Sequence, residues 1–231
     1  MFFKNTNKIL IIFVANLFIV SGDVYSGHKK LKNKIKKITS FPKTIVNAVK
    51  HKVNNEGVVD KGNLYRSGQL NSIDLAKLIN KHGIKTVINL RGTNKDQSWW
   101  QDEKMVTESM GVKFCNIRMS ADKFPTQKKL SKLLYMYDNA QRPILIHCKS
   151  GRDRTGEAAA LWVLEKMNGS TKKALKELSF TQYQHVKSLH PYKTKLIKIW
   201  QGREWFFNGG YKNAVSLMGI DVGNQFYMPK A

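Results

Sequence analysis

Cysteine is scarce in this chain of 231 residues: there are two, Cys115 and Cys148. Two cysteines cannot build a disulfide framework, so stability must come from a packed core, and the length suits one well-buried domain better than two. No Cys/His spacing has the form of a zinc site. Acidic residues are also few, 16 Asp+Glu against 40 Lys+Arg, which gives a formal net charge of +24. That surplus favours anionic partners (membrane surfaces, nucleic acid or phosphorylated substrates) and carries no information about fold. No RNA- or DNA-binding motif accompanies the lysines, which argues against a nucleic-acid partner. Internal repeats and low-complexity tracts are absent after residue 56.

The apolar stretch ILIIFVANLFIV (9–20) is too short for a comfortable membrane span. Lys4 and Lys8 precede it and SGDVYSG (21–27) follows, the pattern of a secretory signal, so the expected location is exported, periplasmic or secreted. An uncleaved membrane anchor over residues 9–20 is the alternative, since the region around Gly22 and Ser26 is not a clean A-x-A site. Residues 27–55 hold nine lysines and no acid. With Leu31, Ile35, Ile38, Ile45, Val46 and Val49 interspersed, this arm has two readings: contact with an anionic membrane surface, or a solvated tail. Its charge also opposes easy export by the positive-inside tendency, and the two signals conflict. The expected organisation is 1–26 signal or anchor, 27–55 lysine-rich arm, 56–205 main folded domain and 206–231 C-terminal extension.

The body alternates short apolar runs with amphipathic ones. GNLYRSGQL (62–70) reads as a strand or strand-turn, and IKTVINL (84–90), VKFCNIR (112–118) and PILIHC (143–148) read as strands. Helices are expected from Asn71/Ser72 to Gly83, over about 98–110, through Leu130, Leu133, Leu134 and Tyr137, and over 155–169, with two more at 170–180 and about 182–204. Cys115 is then a small buried residue of the sheet. Strands separated by helices imply parallel pairing through crossovers, hence an α/β fold with a central, mainly parallel sheet flanked by helices. Ligands of such sheets sit beyond the carboxyl ends of the strands.

HCKSGRDRTG (147–156) lies at such an end, between strand and helix. A loop that closes into a helix N-terminus offers unpaired N–H groups and a favourable dipole to an anion. Gly151 lets the backbone curl towards a ligand, and Gly156 lets the helix start pack closely. Arg154 supplies a fork for two phosphate oxygens that Lys could not reproduce. In that positive field Cys148 is held as the thiolate. Thr155 is placed to donate its hydroxyl to the sulfur, and His147 to organise the loop through hydrogen bonds.

These residues match the H-C-x5-R-[ST]-G signature, and the chain resembles the cysteine-dependent protein tyrosine and dual-specificity phosphatases. The likeness extends over about 57–200, where LYRSGQL, IKTVINLRG and the loop with Asp122 are similar to bacterial dual-specificity members, several of them exported. The resemblance implies a phosphatase fold of that type and a two-step reaction. Cys148 attacks phosphorus, and water then hydrolyses the cysteinyl-phosphate. Arg154 and the loop amides (Lys149, Ser150, Gly151, Arg152 and Asp153 complete the cradle) hold the phosphoryl oxygens, with no metal and no cofactor. The family's acid on an upstream loop falls at Asp122 in MSADKFPT; the plain alternative is a surface carboxylate. Asp153 is the rival acid, or an orienting partner for Arg154 or a backbone amide. Rhodanese-like sulfurtransferases lack the Arg-Thr-Gly entry into a helix.

Arg91 and Arg66 carry two readings each, holding the loop or the substrate on one side and a structural ion pair on the other. His185 and His190 show no partner spacing and read as ordinary. Trp99, Trp100 and WFF (205–207) read as packing aromatics. CKSGRDRTG is similar to the CKSGKDRTG of bacterial phosphoinositide phosphatases, and Lys149 and Arg152 would favour multiply phosphorylated substrates or a lipid head group. The expected substrate is a phosphorylated protein, with a phospholipid or inositol phosphate as the alternative.

Overall fold

The computed structural model describes residues 54–229, which lie in the second of two compact units, Val49–Ala231. The signal or anchor read at 1–26 and nearly all of the arm read at 27–55 fall outside the described residues. Among the described residues no helix is long and apolar enough to cross a membrane.

Five strands form one sheet: β1 (Gly57–Asp60), β2 (Leu64–Ser67), β3 (Thr86–Asn89), β4 (Lys113–Asn116) and β5 (Ile144–His147), in the order β1-β2-β5-β3-β4. Only β1 runs antiparallel, against β2; the other neighbours are parallel. The central strands β2, β3 and β5 are buried at every position, β3 and β5 with the β-branched and leucine residues of strands covered on both faces. Side chains alternate between faces: Leu64, Ile88, Ile144 and Ile146 enter the larger core, while Tyr65, Val87 and Leu145 enter the smaller one. Cys115 is only half-buried, contrary to expectation, because β4 is an edge strand.

The helices follow the sheet's faces. α1 (Ser72–His82) opens on an Asn71 cap that accepts from the Asp74 amide and closes at Gly83 in the left-handed conformation. It covers the smaller core through Leu75, Leu78 and Ile79 and packs beside α2 (Ser98–Ser109). α3 (Gln127–Asn139) and α4 (Asp153–Lys166) cover the other face with Leu130, Leu133, Leu134, Tyr137 and the Ala158–Val163 run.

Beyond α4 the helices are shorter than expected. The 170–180 segment is α5 (Thr171–Ala174) and a 3-10 turn (Leu175–Leu178), followed by α6 (Phe180–Tyr183). The continuous helix expected over 182–204 is not formed. Gln184 turns the chain with φ 59°, and α7 (Pro191–Ile199) starts anew at its proline, whose missing N–H is tolerated only in a first turn. α8 (Arg203–Phe207) and α9 (Gly210–Ser216) follow. In the 206–231 segment Phe206, Tyr211, Val215 and Val222 are buried in the larger core.

Candidate active site

Parallel register aligns the carboxyl ends of three strands: Ser67 and Asn89 each pair with His147. The chain therefore leaves the sheet side by side at Gly68, Leu90 and Cys148. The loop after Cys148 is held from outside by three side-chain or backbone donors. Gln69 N donates to the Lys149 carbonyl (3.0 Å), Asn55 Nδ2 to that of Ser150 (2.7 Å) and Arg66 Nη2 to that of Gly151 (2.6 Å). In a trans peptide C=O and N–H point oppositely. Three successive carbonyls turned outward thus leave the amides of Ser150, Gly151 and Arg152 to the concave side, an anion nest. Gly151 has φ 70°, and a Cβ there would stand 2.7 Å from Gly68 N. At Gly156 a Cβ would meet the Glu177 carbonyl and Leu178 at 2.7 Å, so the start of α4 can pack there only as glycine.

Cys148 sits at the base of this nest, 1% exposed. Arg154 is half-buried, and its Nε, although buried, has no hydrogen-bond partner among the described residues. The Arg91 guanidinium is pushed below its ordinary range, first by burial and then by the charge of Arg154, while Glu103 and Cys148 pull it back. Two guanidiniums and a thiol therefore share one electrostatic neighbourhood, which favours an anion. Arg91 donates to Gln69 Oε1 (2.9 Å) and lies 3.3 Å over the Trp99 ring, so Trp99 stacks on a cation beyond any packing role.

The partner of His147 is a residue that the sequence did not mark. The His147 Nε2 lies 2.6 Å from Glu103 Oε1, both groups buried. Glu103 Oε2 accepts from Gln69 Nε2 (3.0 Å), so His147, Glu103, Gln69 and Arg91 form one chain of contacts beneath the site. Arg66 is fully buried and bonds Glu177 Oε2 (2.6 Å) and the Glu177 carbonyl (2.9 Å) as well as Gly151. Its face rests on Tyr183 at 3.4 Å. A buried guanidinium is tolerable only when its charge is paired, and here Nη1 and Nη2 both find acceptors.

Four other candidate positions make contacts that the sequence does not specify. Thr155 Oγ1 is oriented to the Ser67 carbonyl at 3.5 Å. Arg152 donates to Gln184 Oε1 (2.6 Å), which draws its head group to the turn after α6, while Lys149 stays exposed. Asp153 does not pair with Arg154: its Oδ1 lies 2.7 Å from Nδ1 of the buried His185, and its Oδ2 3.5 Å from His190 Nε2. Asp122, with a side chain 69% exposed, has its Oδ1 2.7 Å from His190 Nδ1. The two histidines read as ordinary thus join both candidate acids. No sequence signal marked them, because the paired residues lie 32 and 68 positions apart.

The Asp122 loop is fastened to the body at its neighbours. Lys193 Nζ donates to the Lys123 carbonyl (2.8 Å) and to both oxygens of Glu157 on α4 (3.0 and 2.9 Å). Tyr211 donates to the Pro125 carbonyl (2.6 Å), and Phe124 packs against Tyr192 and Tyr211. Burial pushes the Glu157 carboxyl up to about 7 in spite of Lys193, with Asp153 adding to the rise. Among the described residues no cluster of three or more His, Cys, Asp or Glu side chains is arranged to hold a metal ion.

Residues 36–194 match the family described as "DSP-PTPase phosphatase fused to NAD+ Kinase". Among solved structures, TpbA of P. aeruginosa is 22% identical, with TM-score 0.50 and coverage of 62% of this chain and 83% of that one. The catalytic core of the PP-IP phosphatase SIW14 from S. cerevisiae is 22% identical, with TM-score 0.55 and coverage of 69% and 93%. These likenesses concern the fold, and no curated protein matches the sequence. The family match spans well over half of the sequence and includes the whole nest around Cys148, and on that ground the chain belongs to the DSP-PTPase family of cysteine-dependent phosphatases.

Proposed function

We propose that this chain hydrolyses phosphomonoesters through a cysteinyl-phosphate on Cys148, with phosphorylated protein, phosphotyrosine in particular, as its substrate class. The observation that carries the reading is the nest itself: three outward-held carbonyls, the thiol at its base and an unpartnered Arg154 Nε beside it. The phosphoryl group binds with its oxygens on the loop amides and the Arg154 fork, where negative charge is stabilised as it redistributes. The Cys148 thiolate attacks phosphorus, the P–O bond to the leaving group breaks, and Asp122 gives that oxygen a proton. Asp122 then takes a proton from the water that attacks the cysteinyl-phosphate, releasing phosphate and the thiolate. Its exposure favours it over Asp153, which His185 and His190 hold from two sides. The protein-substrate reading is supported by the solved complex of TpbA with pTyr.

The second reading, an inositol phosphate or phospholipid head group, is favoured by the exposed Lys149 on the loop and by the likeness to a PP-IP phosphatase. Phosphate release from phosphotyrosine peptides, phosphoserine peptides, phosphoinositides and soluble inositol phosphates separates the two. Cys148→Ser should abolish release on every substrate with the fold retained; turnover by that variant would remove the mechanism. The pattern of residues 1–26 supports export of the protein, which cell fractionation with N-terminal sequencing tests.

A further inference from the structure

We propose that His190 is a positioning residue for proton transfer, fixing the Asp122 carboxyl to Asp153 at the start of the helix that follows the nucleophile loop; this rests on the phosphatase reading above. A carboxylate 69% exposed on a loop has little to restrain its rotamer. Here one imidazole nitrogen lies 2.7 Å from Asp122 Oδ1 and the other 3.5 Å from Asp153 Oδ2. Asp153 is the first residue of α4 and follows the Cys148 loop directly. It is held in turn by His185, whose ring is fully buried and centred 6.3 Å from that of His190. His190 thus bridges an exposed group and a buried one.

The bridge has its own support. The His190 amide donates to the Val186 carbonyl (3.1 Å), and α7 begins at the next residue. Three residues on, Lys193 ties α7 to Glu157 of α4 and to the carbonyl of Lys123, the neighbour of Asp122. The same helix start therefore docks beside both partners of His190, on the residue after Asp122 and on the helix that Asp153 begins. An acid must stand within hydrogen-bond reach of the leaving oxygen, and a displacement of about 1 Å is enough to cost about 100-fold in rate. On this reading Asp122 and Asp153 are not rivals. Asp153 is the fixed post, and Asp122 is the acid that His190 aims.

The test is the dependence of kcat/KM on leaving group across a series of aryl phosphates, from strongly acidic phenols to phenol itself. Wild type should show a shallow dependence and Asp122→Ala a steep one. His190→Ala should reproduce the steep dependence, losing about 10- to 100-fold on the poorest leaving group and little on the best. The double variant should be no worse than Asp122→Ala, since both changes remove one function. His190→Asn keeps a donor near the place of Nδ1 and should restore the shallow dependence, whereas His190→Gln, whose amide reaches the Nε2 side, should not. These two variants decide the matter even where the alanine variant folds poorly. A shallow dependence in His190→Gln, an equal loss on all leaving groups, or additivity in the double variant would overturn the proposal while leaving the phosphatase reading intact. Absence of aryl phosphate turnover in wild type, or its survival in Cys148→Ser, would overturn that reading and this one with it.

Discussion

Replacing Arg66 with methionine takes the donor away from three acceptors at once: the Glu177 carboxylate, the Glu177 carbonyl and the Gly151 carbonyl. Methionine keeps most of the buried stem and its contact with Tyr183, so the change isolates the guanidinium. Breaking a buried ion pair from one side costs about 3–5 kcal/mol. The Glu177 side chain is 11% exposed, which moves the value towards the lower end, and the unpaired Gly151 carbonyl moves it back by about 1–3 kcal/mol. These contributions share one side chain and do not add, so a total of about 4 kcal/mol is expected. With a urea m-value of about 2 kcal/mol/M, the unfolding midpoint should fall by about 2 M. Stabilities of about 5–15 kcal/mol leave the variant folded without denaturant. Its chemistry should nevertheless suffer, because a free Gly151 carbonyl no longer fixes the Arg152 amide towards the nest. Loss of one such donor costs about 100-fold in kcat. Glu177→Gln supplies the contrast: it weakens the ion pair but leaves Arg66 on Gly151, so stability should fall with kcat nearly unchanged. Urea titration by circular dichroism and aryl phosphate kinetics on the same preparations measure both. A folded Arg66→Met protein with wild-type kcat would refute the clamp.

Gly151→Ala should cost at least about 100-fold in kcat and about 1–2 kcal/mol in stability, since φ 70° is strained for an L-residue and the new Cβ meets the Gly68 amide; wild-type kinetics would show that the loop tolerates rearrangement. The Glu157 carboxyl, raised by burial from its ordinary 4.5 to about 7, stays protonated in the folded chain where the unfolded chain has released its proton. Its contribution to stability is therefore greatest below pH 4.5 and is lost as pH rises through the window up to about 7, by about 1.4 kcal/mol per unit at most. Glu157→Gln removes this titration, so its urea midpoint should rise relative to wild type across that window; parallel curves would count against it.

What could be read in advance was contiguous or periodic. HCKSGRDRTG places nucleophile, cradle and helix start within ten consecutive residues, and the apolar runs on either side show strand and helix by their spacing. The β3 and β5 runs announce burial on both faces because apolar residues stand at consecutive positions, Val87 and Ile88 in one and Ile144, Leu145 and Ile146 in the other. The failures have separate causes: Cys115 stands on an edge strand. The helix expected over 182–204 has the right composition, yet Gln184 and Pro191 divide it, and the resulting turn is what carries His185 and His190 to the site.

The amino-acid sequence by itself determined the α/β class, the nest and its thiol, since local spacing sets the periodicity of an element and the chemistry of one loop. Only the tertiary structure decided which groups meet there. Arg66 with Glu177, His147 with Glu103, and His190 with both Asp122 and Asp153 are pairs made across separate elements. Each brings together residues tens of positions apart, and docking of helices on a sheet selects such partners by shape and burial, which no interval along the chain records.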